Sequence, residues 1–170
     1  MELIKEISDR DLSIESALKS DIRYRLRKAS RALIFQENKI AVLNARGLHL
    51  HKLPGGGIEE NESIGQALTR EILEETGCKI NQIREIGITI EYRNEIELIQ
   101  VSYVFTGNVI DNSREPVFTQ KERDEGFLLE WMTVNEAVRL MKIQDKPNSY
   151  AGKFIRARDT AILEYYLKNK

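Results

Sequence analysis

The order of predicted elements points to an α/β protein, either α+β or a three-layer α/β/α arrangement with helices on a mixed sheet. Three observations carry this reading. Short β-rich stretches recur along the chain with hairpin-like breaks. Three helical segments interrupt or follow them. The length, 170 residues, suits one domain with a core that needs neither disulfide nor structural metal. Apolar residues make up 41%, a globular composition once the glycines are added, which excludes disordered, collagen-like and coiled-coil classes. No apolar run approaches the ~20 residues of a membrane helix, and Met1 to Arg10 has no apolar signal core. The expectation is a cytoplasmic protein with no membrane partner. The single cysteine, Cys78, excludes an internal disulfide and a cysteine-based zinc cluster.

Taken in order, residues 1–29 form a charge-rich N-terminal arm. Arg23, Arg25, Arg27, Lys28 and Arg31 make a basic cluster at its end. That cluster reads as a solvated face or as a surface leaning toward an anionic substrate or RNA. Ala32–Phe35 and Ile40–Leu43 read as two buried strands around a turn at Glu37-Asn38. His49–Leu53 alternates like a half-exposed strand, with His49 and His51 on one side, until Pro54-Gly55-Gly56-Gly57 stops it. Glu62 to Thr76 reads as a helix because Ile64, Leu68 and Ile72 recur every fourth residue and Gly77 sits at its end. Residues 82–93 and 95–106 are β-rich, 111–126 is a polar loop, and Phe127–Met132 is a strand. Thr133 and Glu136 form a capping box that opens a helix to about Lys142. Tyr150 to Leu167 is a last helix after a break at Pro147. The chain is expected to form one domain, 1–170, with the 1–29 arm and the 143–170 helix added to a core.

Charge locates the chemistry. There are 26 basic and 27 acidic residues, a net of −1, a balance that disfavours a generally basic nucleic-acid binder. The balance hides a local excess. Ile58 to Glu75 holds six acids, Glu59, Glu60, Glu62, Glu71, Glu74 and Glu75, against one base, Arg70. At about 100° per residue, Glu71, Glu74 and Glu75 share one helical arc, and Glu71 and Glu75 continue the apolar stripe of Ile64 and Leu68. Crowded carboxylates resist ionisation unless a cation joins them. Oxygen ligands in such a cluster suit Mg²⁺ or Mn²⁺. Arg70 stands i,i+4 from Glu74 and can position it. Three glycines before the helix let the backbone approach a ligand, which makes Gly56 and Gly57 substrate-binding candidates.

The segment Gly56 to Cys78 resembles the Nudix box, G-x5-E-x7-R-E-U-x-E-E-x-G-U with U aliphatic. Gly56, Glu62, Arg70, Glu71, Glu74, Glu75 and Gly77 meet its fixed polar and glycine positions, and Cys78 stands at the final aliphatic place. The flanking strands and Trp131 extend the resemblance to about residues 30–142. It implies an α/β/α sandwich with a mixed sheet and a catalytic loop–helix–loop. It also implies Mg²⁺-dependent hydrolysis of the pyrophosphate bond in a nucleoside diphosphate linked to another group, of nucleoside triphosphate or nucleotide-sugar type. By position, Glu74 and Glu75 would ligate the metal with the Gly55 carbonyl. Glu71 would be ligand or general base, and Arg70 and Glu62 would support them. A late-loop acid, Glu122 in preference to Asp124 or Glu125, would assist. Tyr92 is a substrate-contact candidate from its place beyond the box. Two alternatives stand beside this reading: a non-catalytic nucleotide sensor, which intact box glutamates disfavour, and an RNA 5′-end pyrophosphohydrolase using the basic cluster. The expected partner is a small nucleotide substrate, with nucleic acid disfavoured and a homodimer contact through either terminus left open.

Overall fold

The strand from Leu98 to Asp111 alternates buried and half-buried side chains along most of its length and is paired on both edges, so the sheet is assembled around it. The computed structural model describes residues 1–15 and 21–170. Its elements are β1 (Leu3–Ser8), β2 (Arg25–Gln36), β3 (Lys39–Ala45), β4 (Leu50–Lys52), α1 (Ile64–Thr76), β5 (Lys79–Arg93), β6 (Leu98–Asp111), α2 (Gln120–Asp124), β7 (Phe127–Met132), α3 (Val134–Arg139) and α4 (Tyr150–Asn169). The seven strands form one mixed sheet in the order β1-β5-β6-β2-β3-β4, with β7 paired to β3. The β1·β5 and β2·β6 ladders are parallel and the others antiparallel.

Alternation along β2 divides the core. Ala32 and Ile34 pack with Leu68 and Ile72 of α1 on one face. Leu33 packs with Ala137 of α3 and Ile162 and Leu163 of α4 on the other. The result is the three-layer arrangement the sequence predicts. Ser63 caps α1, accepting from the Gln66 amide while the Gln66 side chain accepts from the Ser63 amide. The helix therefore starts at Ile64, two residues later than its composition suggests. The Thr133 capping box forms as expected. Its helix passes into a wider π-helical turn at Leu140–Gln144.

Several expectations are corrected. The basic cluster is mostly strand: β2 begins at Arg25 because it runs parallel to β6 from Arg25 to Phe35, a pairing that no local apolar pattern announces. The charge-rich arm supplies β1, which lengthens the sheet beyond β5. Residues 16–20 of that arm lie outside the described residues. His49 does not belong to the strand before the glycines. It ends a tight turn with φ of 53°, and only Leu50–Lys52 is strand, so His49 and His51 do not share a strand face. The two long strands span 79–93 and 98–111, with the turn at Asn94–Glu97. The polar stretch after Asp111 includes the short helix α2. Among the described residues no helix is long and apolar enough to cross a membrane.

Candidate active site

The glycine loop is held between the end of β4 and the last turns of α1. The chain passes from β4 through Leu53 and Pro54 to Gly55, whose φ of +130° is open to glycine alone. A Cβ there would stand 2.2 Å from the Ser30 carbonyl oxygen, so β2 and the loop touch backbone to backbone. The Ser30 amide donates to the Gly56 carbonyl at 3.0 Å and the Ile58 amide to the Lys28 carbonyl at 3.0 Å. At Gly56 a Cβ would meet the Glu71 carboxylate at 2.1 Å. The missing side chain is the space that Glu71 fills.

The three helix acids take different surroundings. Glu75 is buried, its Oε2 accepting from the Gly55 amide at 2.6 Å and its Oε1 from the Lys52 ammonium at 2.6 Å. Burial raises its carboxyl above the ordinary value, against the opposing pull of Lys52, the Gly55 amide and Arg31. Glu71 is half-buried and Glu74 half-exposed. Arg70 joins them: its guanidinium reaches Glu71 at 2.9 Å, Glu74 at 3.3 Å, both oxygens of Glu62 at 2.9 Å and the Gly57 carbonyl at 3.0 Å. The bond to Glu62 is the strongest of the influences on its pKa and, with Glu71, raises it. A planar five-donor fork is required to reach so many acceptors at once.

The structure therefore brings Gly55, Gly56, Gly57, Glu62, Arg70, Glu71, Glu74 and Glu75 into one unit. Glu122 is not tied into it by any contact among the described residues. It borders a cavity of about 520 Å³ that also reaches Lys52 and Arg31. Its carboxylate caps α2, accepting from the Thr119 amide and hydroxyl at 2.8 Å each. Glu125 borders the same cavity. Tyr92 is not brought there. Alternation along β5 puts Glu91 and Arg93 with Arg158 in the interior, whereas Tyr92 packs edge-on against Tyr24 at 6.3 Å and its hydroxyl meets Glu6 at 3.2 Å. His51 is turned to Asp145, 2.7 Å from its Nδ1.

Sequence reasoning missed the residues that hold the loop from behind. The Leu53 amide donates to Asp159 Oδ2 of α4 at 2.9 Å, across 106 residues. Asp159 in turn pairs with Arg158 at 2.7 Å. Lys52 was read as an ordinary strand position. Only the basic cluster, through Arg27 and Arg31, gave any signal of the cationic wall.

Donor chemistry at the loop suits a hard divalent cation. The groups are carboxylate and carbonyl oxygens, and one of the carboxylates is nearly desolvated with an ammonium against it. Among the described residues no three acidic, His or Cys side chains already converge on one point. Arg70 and Lys52 instead supply the positive charge these acids require.

Comparison with known proteins bears on the family and the fold. The chain matches the NUDIX domain family model over residues 25–152. It is 30% identical over 108 residues to the 8-oxo-dGTP diphosphatase of Buchnera aphidicola, covering 61% of this chain and 75% of that protein. It is 38% identical over 66 residues to Nudix hydrolase 18, mitochondrial, of Arabidopsis thaliana, covering 39% of this chain. It spans 38% of that plant relative's length, and 55% of the length of a second, Nudix hydrolase 12, mitochondrial. A NUDIX hydrolase structure from Nitrosomonas europaea superposes with a TM-score of 0.60 at 24% identity, covering 86% of this chain and 92% of that one. A nudix hydrolase family member from Chromobacterium violaceum gives 0.54 at 23%, covering 90% and 83%. These two likenesses speak to the fold.

Proposed function

The chain belongs to the Nudix family of hydrolases, and from that premise we propose that it hydrolyses the pyrophosphate bond of a nucleoside diphosphate linked to a further group, with Mg²⁺ or Mn²⁺ as cofactor. The observation that carries the proposal is the loop–helix unit itself. One arginine ties Glu62, Glu71, Glu74 and the Gly57 carbonyl together, while the Gly55 amide and Lys52 hold Glu75. A solvated acidic helix face has no need of such an arrangement.

In this reading Glu74, Glu75 and the Gly55 carbonyl would hold the metal, with Glu71 as a further ligand or as general base. When bound, the metal neutralises phosphate charge and lowers the pKa of a water. The chain's own residues do the rest. Arg70 fixes the carboxylates in the geometry they need before substrate arrives, so that little reorganisation is required during reaction. Glu71 stands against Gly56 with one carboxylate oxygen bonded to Arg70, and in its role as base it would take the proton of the attacking water. Gly56 and Gly57 leave the loop backbone free to approach the diphosphate. Lys52 holds Glu75 and borders the cavity, where its charge would favour a bound phosphate. Glu122 sits across the cavity and assists proton transfer at its rim.

The experiment is a panel of nucleoside diphosphate derivatives with Mg²⁺, scored for phosphate-containing products. Cleavage of at least one class, lost on chelation, is the expected result. Nucleotide binding with no cleavage anywhere in the panel would instead identify a sensor.

A further inference from the structure

Among the described residues, two arginines beside the glycine loop have no carboxylate within ion-pair distance. Arg27 and Arg31 stand on one face of β2 and both border the cavity behind the loop. The Arg27 guanidinium lies against Gly57, 3.0 Å from where a Cβ would be, and donates to the neutral side chain of Gln100. Arg31 is 5% exposed. Its guanidinium makes one long bond, 3.4 Å, to the Ser30 carbonyl, and its Nε makes none.

Each neighbouring carboxylate already faces another cation, although Glu91 Oε1, 3.6 Å from Arg158 Nη1, is buried without a hydrogen bond. Glu91 pairs with Arg93 at 2.9 Å, Asp159 with Arg158 at 2.7 Å and Glu75 with Lys52 at 2.6 Å. At the rim Glu122 caps Thr119, and Glu125 lies 3.8 Å from Lys121. Arg93 Nε and Arg158 Nη1 are also buried without a hydrogen bond. Burial, then repulsion from Arg158, pushes the Arg31 guanidinium down to about 10. Arg27 is lowered by burial and then by Arg93 and Arg158. Chains do not ordinarily bury an uncompensated cation, because desolvation is not repaid. Asp159 and Glu75 compensate Arg31 only in part, and the cavity of about 520 Å³ beside both guanidiniums has room for a phosphate-sized anion.

We propose that this cavity is an anion subsite that receives a phosphate group carried by the substrate beyond the bond under attack, seated on Arg31 with Arg27 beside it. The inference rests on the hydrolase reading above and selects within it. Substrates of nucleoside triphosphate type satisfy both guanidiniums. A nucleotide sugar, neutral beyond its diphosphate, leaves Arg31 uncompensated.

Two measurements on the full chain test this. The first follows thermal unfolding with inorganic tripolyphosphate and no added metal. Wild type gains Tm with ligand, whereas Arg31→Met and Arg27→Gln lose most of that gain and Arg31→Lys keeps part of it. Without ligand, Arg31→Met melts at or above wild type, since it removes an unpaired buried charge. The second compares kcat/KM for the four ribonucleoside triphosphates with the matching nucleoside diphosphate glucoses. Wild type favours the triphosphates, and Arg31→Met lowers that ratio about tenfold or more, as loss of a charge-assisted hydrogen bond implies. A tripolyphosphate shift that survives in Arg31→Met, a marked drop in its unliganded Tm, or an unchanged ratio would overturn the subsite. If no substrate is cleaved while the Arg31-dependent shift persists, the hydrolase reading falls and the anion site stands.

Discussion

Glu75 places a charge where the stripe of Ile64, Leu68 and Ile72 would otherwise put a methyl group, and the sequence shows this without help. The remainder of its environment was hidden, because Lys52 and the Gly55 amide reach it only through the turn of the glycine loop. Its raised carboxyl has a measurable consequence. The folded chain holds this proton more readily than the unfolded chain, whose value lies near 4.5. Stability therefore falls as pH rises from 4.5 through the folded value, and flattens above it. Glu75→Gln removes that part of the slope. Urea unfolding of both proteins between pH 4.5 and about 8 checks it, and parallel profiles would rule Glu75 out as the source. Arg70 offers a second test. Lysine cannot reach four acceptors, so Arg70→Lys costs about 1–3 kcal/mol of stability and lowers kcat more than it raises KM. Urea melts and steady-state kinetics read the two effects.

At the level of elements, α1 was legible because its signals are local: a serine cap, an apolar repeat and a terminal glycine within a few turns. Ser63→Ala removes the cap and costs about 1 kcal/mol by chemical denaturation. β2 was only half legible. Its apolar end, Ala32–Phe35, shows in the sequence, but Arg25–Lys28 is strand because β6 pairs with it, which leaves Arg27 bordering the cavity. α4 was legible as a helix and illegible as a support. Its Asp159 holds the Leu53 amide just ahead of the glycines while paired to Arg158. Asp159→Ala leaves a buried guanidinium short of a partner and a backbone amide unbonded. A loss of about 3–5 kcal/mol in urea melts is expected, together with reduced turnover, since the loop loses its anchor. A variant as stable as wild type would show that the anchor is dispensable.

For the whole molecule, the three-layer class followed from the order of elements, and the place of the site followed from the distribution of charge rather than its sum. Contacts between distant segments did not follow. The parallel β1·β5 pairing, the tie from α4 to the loop and the cationic wall all join residues far apart in the chain. The same contacts make the account testable as a unit: sheet, helix and glycine loop hold Glu71 and Glu74 beside Arg70 and Glu75 beside Lys52. The most direct measurement is kcat for wild type and Glu75→Gln on the best substrate of the panel, with Mg²⁺ and with circular dichroism confirming that both are folded. The account predicts a fall of about a thousandfold with the fold retained. Turnover near wild type in a folded Glu75→Gln protein would contradict it.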